Sequence, residues 1–176
     1  MKKVVILFCA IIFLHSCKEN ENKQKNVTEV VNKTESRLAI EIDYRIDKTE
    51  KIQCVFSDIE LSDNNQNGAY IITEEFKPKP EFHTAKYIMF GDFIPLKLQL
   101  RLGNSPINLR INKIIVMYED NEVIVNGKDF GRYFVMNKYV KFNDENNTLE
   151  TIKVNGLHKP VITFRRGFIN KLFDLR

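Results

Sequence analysis

The chain has 176 residues, 43% of them hydrophobic and 28% charged, with a formal net charge of +4. That length corresponds to one domain, and the apolar fraction supports a packed core, so a wholly disordered or fibrous chain is excluded. The 27 Lys and Arg and 23 Asp and Glu are dispersed. The electrostatic footprint of a nucleic-acid binder is therefore missing, and no nucleic-acid partner is expected.

Lys2 and Lys3 precede an unbroken apolar run from Val4 to Leu14, followed by His15, Ser16 and Cys17. A basic start, a short apolar stretch and a small residue at the cut site describe a secretory signal peptide over residues 1–16. The run is too short to span a bilayer, which takes roughly 20 apolar residues. Leu14-His15-Ser16-Cys17 resembles the lipobox of bacterial lipoproteins: an aliphatic residue, a variable one, a small one, then the modified cysteine. The resemblance implies cleavage before Cys17, lipidation of its thiol and acylation of the new amino group. The protein would then be tied to the membrane through an N-terminal lipid, with no spanning segment. Two or more chains hold a protein stably on a bilayer. Lys18-Glu19-Asn20-Glu21 is similar to the surface-export signal of lipoproteins from one Gram-negative phylum and lacks an Asp after the Cys. The expected address is the outer membrane, facing the periplasm or, by this signal, the surface.

Loss of the leader removes two lysines, so the formal balance of the mature chain falls to +2. Cys9 leaves with it and Cys17 is lipidated, so Cys54 stands alone and no internal disulfide is expected. Residues 17–36 are polar, with no aromatic, and read as a flexible tether. Twenty residues of coil reach roughly 25 Å.

Residues 37–176 read as a single β-sandwich domain. Leu38, Ile40, Ile42, Tyr44 and Ile46 alternate with polar or small residues, the period-two signature of a strand. Ile52, Cys54 and Phe56 follow, then Ile59 and Leu61, Tyr70–Ile72 and Tyr87–Phe90. Leu96, Leu98, Leu100 and Leu102 alternate with Lys97, Gln99 and Arg101 until Asn104-Ser105-Pro106 breaks the run. Leu109, Ile111 and Ile114–Tyr118 resume it, and shorter runs continue at 123–125, 133–135, 139–142, 149–154 and 161–164. Asn67-Gly68, Asn126-Gly127 and Asn155-Gly156 are hairpin signals. Only Phe168–Leu175 carries a helical period. Nine to eleven short strands predict an all-β, antiparallel sandwich, with a partly open barrel as the alternative. Leu100-Arg101-Leu102-Gly103 before the Ile-rich 111–116 run resembles β-sandwich modules of carbohydrate-related bacterial proteins.

Candidate sites each have a plain structural counterpart. Asp63-Asn64-Asn65-Gln66-Asn67-Gly68 with Glu74 fits the calcium-loop pattern D-x-[DN]-x-[DN]-G-x5-E. The ligands would be Asp63, Asn65, Asn67, the Ala69 carbonyl and a bidentate Glu74. Strand-like flanks instead of helices favour an Asn-Gly hairpin tip. Cys54 is either a reactive thiol or a small buried hydrophobe in phase with Ile52 and Phe56. His83 and His158 have no metal-ligand spacing, and no catalytic motif accompanies them. Phe130, Tyr118, Tyr133 and Tyr139 form either a sugar-stacking platform or cross-strand packing. Arg165-Arg166 and the basic end from Lys171 could touch anionic lipid phosphates or simply be a solvated rim.

These readings predict a lipid-anchored envelope protein acting as a binding or interaction module for a glycan or an envelope protein. A small hydrolase of envelope material is the alternative, and a structural lipoprotein without a small ligand is another. No cofactor is expected beyond the calcium the loop pattern would take.

Overall fold

The computed structural model describes residues 37–57, 68–91 and 94–174. The signal peptide, Cys17, the tether over 17–36, Asp63, Asn65 and Asn67 lie outside the described residues.

Strands form where alternation is strongest. β1 (Arg37–Ile46) buries Leu38, Ile40, Ile42, Tyr44 and Ile46 and turns Glu41, Asp43 and Arg45 outward. β2 (Glu50–Ser57) sends Ile52, Cys54 and Phe56 into the same core. β3 (Ala69–Phe76) and β4 (His83–Phe90) extend well beyond their apolar runs, because antiparallel partners pair along their full length. β5 (Lys97–Arg101) buries Leu98 and Leu100, whereas Leu96 is 46% exposed just outside it. β6 (Asn108–Tyr118) and β7 (Asn121–Asn126) form a two-residue hairpin, with Glu119 at φ 51°. A 3-10 turn (Gly127–Asp129) and α1 (Phe130–Tyr133) lead into β8 (Phe134–Met136). β9 (Val140–Asn143), β10 (Thr148–Thr151), β11 (Val161–Phe164) and α2 (Arg166–Leu172) complete the order.

Two antiparallel sheets pack face to face. Sheet A runs β4-β1-β6-β10-β9, with β7 also on β6; sheet B runs β3-β2-β5-β11-β8. Among the described residues each strand pairs only within its own sheet, so the architecture is the expected sandwich and not a closed barrel. Tyr87, Phe56, Phe76, Phe130 and Phe134 are the largest fully buried side chains between the layers. Where α1, β8 and β11 meet, Phe134 stacks on Phe130 at 4.3 Å and meets Phe164 edge-on at 4.7 Å. α2 folds over this corner by burying Phe168, Ile169 and Leu172.

One break in the sequence pattern has a structural cause. Ile111 and Ile114 are both buried, although three residues apart they should face opposite ways. β1 pairs Asp43 with Lys113 but Tyr44 with Ile111, so Asn112 is an extra residue, a β-bulge that restores the inward phase. The other edge of β6 is divided on either side of this bulge, with β10 on Asn108–Arg110 and β7 on Lys113–Tyr118.

The Asn-Gly signals divide. Asn155 and Gly156 both take positive φ (52° and 76°) in a turn closed by the Val154–Leu157 bridge, as expected. Asn126-Gly127 instead leaves the strand for the 3-10 turn. Gly127 is buried there, and a Cβ on it would lie 2.5 Å from the Asn147 side chain, so its lack of a side chain serves close packing and not a hairpin.

Candidate binding groove

The outward positions of sheet B form an open depression of about 590 Å³. Period two places them. β5 is the central strand, and with Leu98 and Leu100 inward, Lys97, Gln99 and Arg101 must face out. Antiparallel register then sets their neighbours. Gln53 of β2 lies between Thr73 of β3 and Arg101. Gln99 lies between Val55 of β2 and Thr163 of β11. The Gln53 amide donates to Thr73 Oγ1 (3.4 Å) and the Gln99 amide to Thr163 Oγ1 (3.1 Å). Cross-strand amide–hydroxyl pairs of this kind orient the floor and leave carbonyl oxygens and further N–H groups toward solvent.

Loops complete one end. Asn104 follows β5, Asn137 follows β8, and His158-Lys159-Pro160 leads into β11. Asn137 fastens two of these segments, donating to the Lys159 carbonyl (2.7 Å) and accepting from the Val161 amide (3.3 Å). The Leu102 amide donates to the Pro160 carbonyl at 3.0 Å, extending the β5–β11 ladder to the rim. Lys51 enters the groove from β2. Lys51, Lys97, Arg101 and Lys159 are thus four cationic lining residues, and no Asp or Glu is among the described lining, although Glu75 of β3 faces Lys51 just outside it. None of the four forms an ion pair among the described residues.

His158 stands at this end with Nε2 3.1 Å from Thr151 Oγ1, which also accepts from the Ile107 amide at 2.8 Å. Burial pushes the imidazole pKa down. The Asn104 backbone acts the other way, Lys153 reinforces the decrease, and the net direction is downward, so His158 is neutral at pH 7. Thr151 is 1% exposed, so its hydroxyl holds the loop and is not open to a substrate.

Beneath the same end Glu50 accepts from the Lys51 amide (3.0 Å), the Ser105 amide (3.1 Å) and the Ser105 hydroxyl. Partial burial raises its pKa, but the hydrogen bonds from Ser105, Lys51 and Asn104 outweigh that and leave it lowered. Gly103, also in the groove lining, permits this approach: its φ is +82°, and a Cβ there would lie 2.1 Å from Glu50 Cγ.

The residues singled out by sequence fall elsewhere. Ala69 and Glu74 sit in β3, paired with Ser57 and Ile52. Five residues of extended chain hold these two loop positions roughly 16 Å apart, although both would have to reach one ion. Cys54 is fully buried, and burial pushes its thiol pKa well up, so it is an inert core residue. His83 packs near Tyr44, with ring centroids 6.5 Å apart, on a different sheet from His158's groove. The four aromatic candidates are packing residues: Phe130 is 1% exposed, Tyr139 is buried, Tyr118 lies against Phe173, and Tyr133 meets Phe168 edge-on. Arg165 and Arg166 donate to the Gly131 and Leu96 carbonyls. The groove residues had one legible signal, the outward Lys-x-Gln-x-Arg of β5. Their convergence with Lys51 and Lys159 depends on register and loop placement, which one strand's sequence does not carry.

Comparison with known protein families, characterised proteins and solved structures returns no match for this chain.

Proposed function

We propose that this protein is a lipid-anchored envelope protein, held at the outer membrane through Cys17, that binds a glycan in the sheet B groove. The observation that supports the reading is the composition of that groove. It is an open sheet face floored by Gln53, Gln99, Thr73 and Thr163 and rimmed by Asn104 and Asn137. Amides and hydroxyls supply both donors and acceptors, the inventory that recognises sugar hydroxyls. Polar contacts on an open face give modest affinity, which suits a displayed capture module more than an enzyme. The hydrolase alternative asks for a histidine beside an available nucleophile or carboxylate, whereas His158 is directed at a buried threonine.

Two experiments test this reading. An array of envelope saccharides, read with the purified protein, should give binding that Gln99→Ala weakens; binding to none of them would sink the glycan assignment. Cys17→Ser should release the protein from the membrane fraction, and continued tight retention would overturn the anchor.

A protein partner is a second reading, supported by β3. This eight-residue strand lies at the edge of sheet B, with Tyr70 65% exposed and Ile71 38% exposed. Such an edge can accept an added strand. Crosslinking in intact cells followed by mass spectrometry tests it: a partner peptide attached along β3 would support it, and crosslinks confined to other faces would remove it.

A further inference from the structure

The charges of the groove narrow the ligand class. We propose that the site takes an acidic polysaccharide, a saccharide chain bearing carboxylates at intervals, and this rests on the glycan reading above. Lys51, Lys97, Arg101 and Lys159 are the charged residues of the described lining; Glu75 of β3 faces Lys51, whereas Lys97 and Arg101 have Ser57, Gln53 and Val161 as cross-strand neighbours and no acid. A neutral sugar needs hydrogen bonds only, and like charges gathered on one face repel each other unless a counter-charge neutralises them. Glu75 supplies one beside Lys51, and a ligand would supply it for Lys97, Arg101 and Lys159.

Spacing argues for a chain over a small anion. Lys97 and Arg101 are four residues apart on the extended β5, roughly 13 Å along the strand. One carboxylate or phosphate cannot touch both, whereas successive acidic units of a polymer can. Between the two cations the floor presents Gln99 and Thr163, which suit the hydroxyls of the intervening sugar. The side-chain types also discriminate against other polyanions. Among the described residues the lining contains no Phe, Tyr or Trp, so it offers nucleic-acid bases no stacking surface. Its polar floor likewise offers nothing to the acyl chains of an anionic lipid.

Each solvent-accessible cation, Lys97 and Arg101 half-buried and Lys51 and Lys159 exposed, contributes little alone, so binding should be multivalent and salt-dependent. The test is titration calorimetry of the purified protein with three probes: polygalacturonate, neutral dextran and dextran sulfate. The expected result is binding to polygalacturonate, little to dextran, and a steep loss of affinity as salt rises. Lys97→Gln and Arg101→Gln should each lower polygalacturonate affinity about two- to fivefold, the range of exposed charge contacts, and the double variant more. Thermal melts of these surface variants confirm that they remain folded. Glu41→Gln on the opposite sheet is the control and should leave polygalacturonate affinity unchanged. Dextran bound as well as polygalacturonate, without salt dependence, overturns the acidic class and leaves the glycan reading standing. Binding to dextran sulfate alone, insensitive to Lys97 and Arg101, is non-specific charge attraction and overturns the proposal. No binding to any of the three polymers, nor to the saccharide array, removes both.

Discussion

The two solvent faces of this sandwich are built by the same rule and differ in what they do with charge. On sheet A, outward acids are held by partners on neighbouring strands. Glu41 pairs with Lys86, Asp43 accepts from the Asn112 amide at 2.6 Å, and Asp47 accepts from the Asn108 side chain at 2.8 Å. On sheet B an ion pair of Glu75 with Lys77 lies at the β3 edge, with Lys51 opposite Glu75; further in, the described groove lining carries Lys97, Arg101 and Lys159 with amides and hydroxyls between them and no acid. The small net charge of the whole molecule does not reveal this local excess of cations around β5 and β11. A mixed face is a solvated shell held by short cross-strand contacts, and a single-sign face attracts a counter-charged ligand. Alternation in sequence specifies which residues face water; only the sign pattern separates a surface from a site.

The largest effect on this contrast is expected at the groove's end. Gly103→Ala places a Cβ against Glu50 and strains a backbone held at φ +82°. It should cost about 1–3 kcal/mol in urea unfolding. Gly131→Ala, where nothing lies within 4 Å and the residue is in α1, should be neutral or stabilise by about 0.4–1 kcal/mol. Equal losses at both would show that Gly103 has no special role.

Reciprocal substitutions across the two faces come next. Glu41→Gln breaks the ion pair with Lys86 and should cost about 0.2–1 kcal/mol of stability. Lys97→Gln should leave the melting midpoint within its error, since no ion pair is lost among the described residues. A larger destabilisation from Lys97→Gln than from Glu41→Gln would erase the distinction between the faces.

Acid should act through Glu50. Its folded pKa is lowered, so its contribution is complete above the ordinary glutamate range and is lost as pH falls through the lowered value. Glu50→Gln should flatten the pH dependence of stability below that range; an unchanged acid limb in urea titrations would assign the effect to other carboxylates. The smallest effect is expected from calcium. With Ala69 and Glu74 extended in β3, millimolar Ca²⁺ should leave the melting midpoint unmoved. An upward shift would restore the 63–74 loop as a ligand site.

Much of the fold was legible because burial and period two coincide. β1 and β5 bury the alternating residues their sequences mark, and β11 occupies Val161–Phe164 as read. The misreadings arise where tertiary contacts override local signals. Asn126-Gly127 has hairpin chemistry, yet the space beside Asn147 draws Gly127 into a 3-10 turn. Phe130, Tyr133 and Tyr139 instead follow the packing alternative of the sequence reading, Phe130 and Tyr139 buried and Tyr133 edge-on to Phe168 of α2. The groove was the least legible feature. Its cations come from β2, β5 and the segment before β11, and only the β2–β5–β11 register makes them neighbours.

The direction of β1 sets how the domain would be presented. Described chain begins at Arg37, beside Phe90, and β1 then carries it ten residues, roughly 33 Å, to the turn at Asp47. There Asp47 meets Asn108, Glu50 holds Ser105, and Thr151 ties Ile107 to His158. The domain therefore has one pole at Arg37 and Phe90 and another at the Asp47 turn, and His158, Gly103 and Asn104 belong to the second. The sandwich thus works as a spacer as well as a scaffold: one long strand keeps the groove's loop-built end a full strand length from the edge where the described chain begins.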